Sequence, residues 1–212
     1  MSYITSAFCS EILPKIVGTY EQELNPAIEA ICEAGCDRII DIGAAEGYYA
    51  VGLALRNPEA RIIGFEMNAS ARYYLQRLAK LNEVSERIEL QGLCDPDSLA
   101  RAMEGAEKPA VVCDCEGAED LLLRPDRIEP LRRSYLLVET HDGLENDGVR
   151  LEGITDRLSE RFAPTHEVKR IASTDRSESD LPTGIHLAPD LAAEAMDEGR
   201  PWAQWLFLSP RN

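Results

Sequence analysis

The chain has 212 residues, of which 44% are hydrophobic and 28% charged, and its formal net charge is -16. That is enough apolar material for a core, most simply one domain with an added lobe. So acidic a chain repels phosphate backbones and anionic membranes, so neither nucleic acid nor a membrane surface is an expected partner.

The start, MSYITSAFCSEILPKIVG, has no basic stretch leading into a long apolar core, and no run approaches a membrane span. Six cysteines (Cys9, Cys32, Cys36, Cys94, Cys113 and Cys115) lack the paired spacing of a zinc site. Reduced, buried thiols in a cytoplasmic protein are expected.

In chain order, residues 21–35 place Leu24, Ile28 and Ile31 at helical spacing and stop at Gly35. DRIIDIG (37–43) reads as a buried strand, YYAVGLALR (48–56) as a helix and RIIGFE (61–66) as a second strand. ASARYYLQRLAKLN (69–82) is an amphipathic helix, RIELQG (87–92) a strand and PDSLARAMEG (96–105) a helix. PAVVCDC (109–115) and SYLLVET (134–140) are strands, with a helix starting at AEDLLL (118–123) between them. GVRLEGITDRLSERF (148–162) reads as helical throughout. Strands and helices alternating at these distances predict an α/β fold, a doubly wound and mostly parallel sheet covered on both faces. Residues 1–36 form a helical N-terminal segment on a domain of residues 37–212.

THEVKRIAS (165–173) and AQWLFLS (203–209) read as two closing strands. The connection between them, 174–201, is long for a structureless loop, and PDLAAEAMDEG within it reads as a short helix. It is either a solvated surface loop or a lid that binds an acceptor.

The turn after the first strand, DIGAAEGYYA, is the most informative stretch. Gly43 and Gly47 allow a sharp turn and close approach of a ligand. The dinucleotide pattern would need glycine at 45 and a small residue at 48, where the chain has Ala45 and Tyr48. Asp41 instead sits two residues before Gly43, suited to a ligand bearing an ammonium group, such as S-adenosylmethionine. Glu66 ends the second strand, where a carboxylate can accept both hydroxyls of a ribose; otherwise it is a solvated strand end. Cys94 or Asp95, after the third strand, is placed to flank an adenine, though Asp95 equally suits the N-cap of the next helix.

With these residues in order, the sequence resembles the class I S-adenosylmethionine-dependent methyltransferases, and more narrowly their FkbM-type branch. The matching pieces are DIGAAEGYYA, FEMN, LAKLN, DCEGAE and VETHD, spread over residues 37–142. The resemblance implies a Rossmann-like seven-stranded sheet of order 3-2-1-4-5-7-6, strand 7 antiparallel. It implies S-adenosylmethionine as cofactor, held by Asp41, Gly43, Ala44, Gly47, Glu66, Met67, Cys94, Asp95 and Asp114. It also implies O-methylation of a small hydroxylated metabolite or sugar.

The fourth and fifth strands end in Asp114, Glu116, Glu119, Glu139, His141 and Asp142. In such a sheet, ligands sit at the carboxyl ends of the strands. His141 is a candidate general base, Asp114 a candidate for orienting the cofactor amine or the acceptor hydroxyl, and Glu139 shares a face with His141 if the strand continues. A divalent cation is a further option, though the sequence has no compact ligand motif for one. Glu116 and Glu119 equally suit helix capping. Tyr20 and Glu21 either close over the site or follow Thr19 as the N-cap of a helix. Two rival functions share this fold: aminopropyl transfer from a decarboxylated cofactor, and a methyltransferase-like domain that binds without turnover.

Overall fold

The computed structural model describes residues 1–4, 7–8, 10–146, 149–200 and 203–211. Nine strands form among them: β1 Arg38–Ile42, β2 Arg61–Phe65, β3 Ile88–Gln91, β4 Pro109–Cys113, β5 Tyr135–Glu139, β6 Glu145–Asn146, β7 Val149–Arg150, β8 His166–Ala172 and β9 Gln204–Pro210. The helices are α1 Ile12–Val17, α2 Asn25–Glu33, α3 Tyr48–Arg56, α4 Ala69–Leu81, α5 Pro96–Met103, α6 Glu119–Leu122, α7 Ile154–Phe162 and α8 Pro189–Met196. No helix among the described residues is long and apolar enough to cross a membrane.

Seven strands make one sheet, in the order β3-β2-β1-β4-β5-β9-β8. β9 runs antiparallel to both β5 and β8, and the other pairs are parallel. Set aside the small β6–β7 hairpin and this is the expected order, with the last strand inserted antiparallel. The direction of winding reverses between β1 and β4, which opens a crevice at their carboxyl ends.

Alternate strand residues feed two cores. Ile39 and Val112 pack with Leu53 and Leu75 under α3 and α4, while Ile40, Ile42 and Val111 pack with Leu99, Leu158 and Phe162 under α5 and α7. Each fully buried aliphatic side chain contributes roughly 1.5–3 kcal/mol over its exposed state. By the same alternation Asp41 points to the α3 side, a carboxylate in an otherwise apolar row.

The expected helix over 148–162 is corrected: it begins only at Ile154. Gly153 is left-handed at φ 69°, and the Asp142 carboxylate caps the new start by accepting from the N–H groups of Ile154 and Thr155 at 2.6 and 3.0 Å. The residues before it pair as the β6–β7 hairpin, closed by the Leu151 N–H on the Leu144 carbonyl at 2.8 Å. Gly148, where that helix was expected to start, lies outside the described residues. Thr19 is not an N-cap either. Its hydroxyl donates to the Ala195 carbonyl at 2.6 Å, and α2 starts later, after a 3-10 turn at Gln22–Leu24.

Five cysteines are free, with Cys36 and Cys113 buried and Cys32, Cys94 and Cys115 half-buried; Cys9 lies outside the described residues.

Candidate active site

The loop after β1 is held so closely that its glycines are obligatory. Gly43 has φ +82°, and a Cβ there would lie 1.6 Å from the Asp114 carbonyl oxygen. That approach follows from the sheet, because the Asp114 N–H donates to the Ile42 carbonyl at 2.9 Å. Gly47 has φ +98° and a Cβ there would meet the Leu75 side chain at 2.7 Å. Ala44 is buried beside them, and its N–H donates to the Phe65 carbonyl at 3.0 Å.

Glu66 braces this loop. It accepts from the Ala45 N–H at 2.9 Å and the Asn68 N–H at 2.6 Å. Each carboxylate oxygen keeps a second lone pair for a ligand. Beyond it, Met67 is 73% exposed and Leu93, after β3, is 70% exposed, two large apolar side chains facing solvent at neighbouring strand ends. Cys94 is half-buried. Asp95 is a helix cap: it accepts from the Ser98 N–H at 2.7 Å, and Ser98 returns the bond to the Asp95 N–H at 2.8 Å.

Asp41 is buried, and its Oδ2 has no hydrogen-bond partner among the described residues. Burial pushes this carboxyl up to about 7, eased by the Ala50 N–H and worsened by the charges of Asp114 and Glu66. Asp114 Oδ1 is likewise buried and makes no hydrogen bond among the described residues. The Asp114 carboxyl is also raised, by burial first, with His141 pulling it back and Glu116 adding to the rise.

At the end of β5, the Thr140 N–H still pairs with the Gln204 carbonyl at 2.8 Å, so the strand geometry continues and Glu139 and His141 share a face. His141 Nδ1 lies 2.7 Å from Glu119 Oε1, while Nε2 stands 3.5 Å from both Asp114 and Glu116. Burial would lower the His141 pKa, but the Glu119 hydrogen bond and charge, with Asp114 and Glu139, outweigh it and hold the ring at about 9. The imidazole is therefore protonated at neutral pH, unlike the near-neutral group the residue type implies. Glu139 is pushed up to about 8, by burial and then by Asp114, against the pull of Arg200. Ligand atoms of Asp114, Glu139 and His141 lie within 4.8 Å of one another, which suits a cation. Asp142 stands apart from this cluster, engaged as the cap of α7.

Tyr20 and Glu21 do reach the site. Arg200 binds Glu21 and Glu139, and also donates to the Tyr20 hydroxyl at 2.9 Å. Glu21 also accepts from the Tyr49 hydroxyl, and burial raises it to about 7, with Arg200 and Tyr49 opposing. Arg200 ends the long connection, so that connection is tied to the strand ends. A second arginine, Arg176, binds Glu23 at 2.5 Å and Glu198 at 2.8 Å and ties the same connection to the N-terminal segment.

No family model matches the chain, and no curated protein does. Solved structures do. An O-methyltransferase of Bacillus cereus in complex with SAH aligns with TM-score 0.56 at 14% identity, over 86% of this chain and 78% of that one. TomG of Streptomyces achromogenes, an O-methyltransferase of tomaymycin synthesis in complex with SAM, gives 0.56 at 14%, over 87% and 78%. A candidate caffeoyl-CoA O-methyltransferase of Staphylococcus aureus gives 0.55 at 12%, over 88% and 82%. The fold is that of the class I methyltransferases. At such identity the likeness is one of fold and does not reach the FkbM-type branch.

Within this methyltransferase fold the sequence hid three residues. Glu46, inside the glycine loop, is fully buried and accepts from Lys15 Nζ at 2.5 Å, from the Tyr3 hydroxyl at 2.6 Å and from the Phe8 N–H at 3.0 Å. It anchors the N-terminal segment over the loop. Lys15 and Arg200 complete the pairs. A buried ion pair looks the same in sequence as two solvated charges; only the burial of "AAEG" between apolar neighbours hinted at Glu46.

Proposed function

We propose that the protein is an S-adenosylmethionine-dependent methyltransferase, of FkbM type, acting on a hydroxyl of a small-molecule acceptor. The observation that carries this reading is a pair of buried carboxylate oxygens on either side of the Gly43 turn that make no hydrogen bond among the described residues, Asp41 Oδ2 and, with His141 Nε2 3.5 Å away, Asp114 Oδ1. Such oxygens call for a cation or a donor, and an ammonium supplies both. Asp41 and Asp114 would take the cofactor amine, Glu66 the ribose hydroxyls, and Met67 and Leu93 the faces of the adenine. When bound, the cofactor supplies a methyl group on a sulfonium, open to direct displacement by an oxygen.

The chain then has to align the acceptor and manage its proton. His141, as an imidazolium fixed by Glu119, stabilises an acceptor oxygen that is losing its proton, and accepts that proton itself only toward pH 9. Glu139, raised to about 8, becomes a base at a somewhat lower pH than His141 does. The Asp114, Glu139 and His141 trio favours a second reading of the same step. With Nδ1 engaged by Glu119, His141 presents Nε2 as a ligand, an arrangement common to metal-bound histidines. A divalent cation held there would lower the pKa of the acceptor hydroxyl.

The test is release of S-adenosylhomocysteine over a panel of phenols, sugars and hydroxy acids, with and without EDTA. Turnover on a hydroxylated acceptor is expected, and sensitivity to EDTA separates the cation from the side-chain base. Aminopropyl transfer from the decarboxylated cofactor, with no methyl transfer to any acceptor, would contradict the reading.

A further inference from the structure

Beside α3 lies a cavity of about 400 Å³, walled by α1, α2 and the outer face of α3. Its inner end is aromatic. Tyr48 meets Tyr20 and Tyr49 edge to face, with ring centroids 5.1 and 5.2 Å apart. Its mouth is apolar and open to solvent: Met1, Ile16 and Leu55 are 53%, 52% and 40% exposed, and all three border it. Single exposed apolar residues are ordinary, but three around one cavity form a patch. Gly52 lies along the cavity in the middle of α3, and a Cβ there would meet nothing within 4 Å among the described residues. Packing does not require this glycine, and a glycine weakens a helix interior. What it leaves is open space.

We propose that this cavity takes the body of the acceptor, an aromatic alcohol of one or two rings, with its hydroxyl at the Glu21 end. This rests on the methyltransferase reading. A volume of about 400 Å³ falls in the range of small-molecule pockets, roughly 300–1,000 Å³. Tyrosine edges and faces suit a flat ring. The Tyr20 hydroxyl and Glu21 stand at the inner end, and Arg200 links both to Glu139 in the strand-end cluster. The cations along the wall are already neutralised, Lys15 by Glu46 and Arg56 by Glu29, so an anionic acceptor gains little. A sugar presents hydroxyls on every side, and the exposed apolar side chains of Met1, Ile16 and Leu55 match the face of a flat ring better than they match hydroxyls.

The probes are 2-naphthol and methyl glucoside, titrated by calorimetry into protein saturated with S-adenosylhomocysteine. The parent is compared with Gly52→Leu and Gly52→Met, which extend side chains into the open space and replace a helical glycine, so the fold is kept and checked by thermal melting. The parent should bind 2-naphthol and not methyl glucoside. Both variants should lose at least about tenfold in 2-naphthol affinity, with S-adenosylhomocysteine affinity unchanged. Equal 2-naphthol binding by the parent and a folded variant, no 2-naphthol binding by the parent, or a preference for methyl glucoside would overturn the inference alone. Absence of S-adenosylhomocysteine binding by the parent would overturn the methyltransferase reading together with it.

Discussion

At position 43 even a methyl group has no room, since it would fall on the backbone oxygen of Asp114 rather than on a side chain that can move. Gly43→Ala should therefore cost roughly 3–5 kcal/mol of stability in chemical denaturation, or abolish folding. The carboxylates differ from one another. Glu66→Ala should weaken S-adenosylhomocysteine binding by about 1.5–3 kcal/mol in calorimetry, the scale for losing a charged hydrogen-bond partner. An unchanged affinity would reduce Glu66 to a brace for the Ala45 and Asn68 N–H groups. Asp95→Ala should do the reverse, lowering the melting temperature as a lost cap and leaving cofactor affinity nearly intact. Residue spacing made Asp41, Gly43, Gly47 and Glu66 legible, because a strand-to-helix turn with flanking acids is a local pattern. It could not separate the two uses of Asp95, which differ only in where one side chain turns. Nor could it show that three carboxylates around His141 hold the ring protonated, because those contacts join β4, α6 and β5.

The elements of the sheet were legible to within a few residues, since buried strands such as RIIDI and PAVVC carry short β-branched cores, Ile39–Ile40 and Val111–Val112. The exception was the start of α7, where Gly153 and the Asp142 cap interrupt a sequence of helical composition. The long connection was legible only as an unexplained length. Besides the Thr19 hydroxyl on the Ala195 carbonyl, two arginines fasten it, Arg176 to Glu23 and Arg200 to Glu21 and Glu139. Arg200→Ala would leave Glu21 and Glu139 buried without their cation, a loss of roughly 3 kcal/mol at alkaline pH. Both carboxyls already titrate high, so protonation should relieve much of that loss in mild acid. Denaturation of the variant at two pH values checks this; an equal loss at both would show that the fastening does not act through these charges. Limited proteolysis should also cut the variant faster between 174 and 200.

The whole molecule carries a net charge of -16 and keeps several acids in its interior. Burial raises the pKa of Asp41, Glu21 and Glu139, and Glu119 with its neighbours raises that of His141 against the effect of burial. All four groups hold protons to higher pH when folded than when unfolded. The folded chain thus binds more protons than the unfolded chain between about pH 4 and pH 9, and stability falls as pH rises through that window. Carboxyls with lowered pKa, such as Asp37 and Asp142, act the other way below it, and His166, lowered by burial, opposes it in part within the window. The melting temperature without cofactor should be higher near about pH 5.5 than near about pH 8.5. An ammonium beside Asp41 and Asp114 should flatten that dependence, and a dependence unchanged by ligand would place the amine elsewhere. The central claim, a site built for a nucleoside bearing an amino acid tail, is tested most directly by calorimetric titration of the full chain. S-adenosylmethionine and S-adenosylhomocysteine should bind with dissociation constants on the order of micromolar, 5′-methylthioadenosine, which lacks the ammonium, far more weakly, and NAD not at all. Tight NAD binding with no response to S-adenosylhomocysteine would contradict the account.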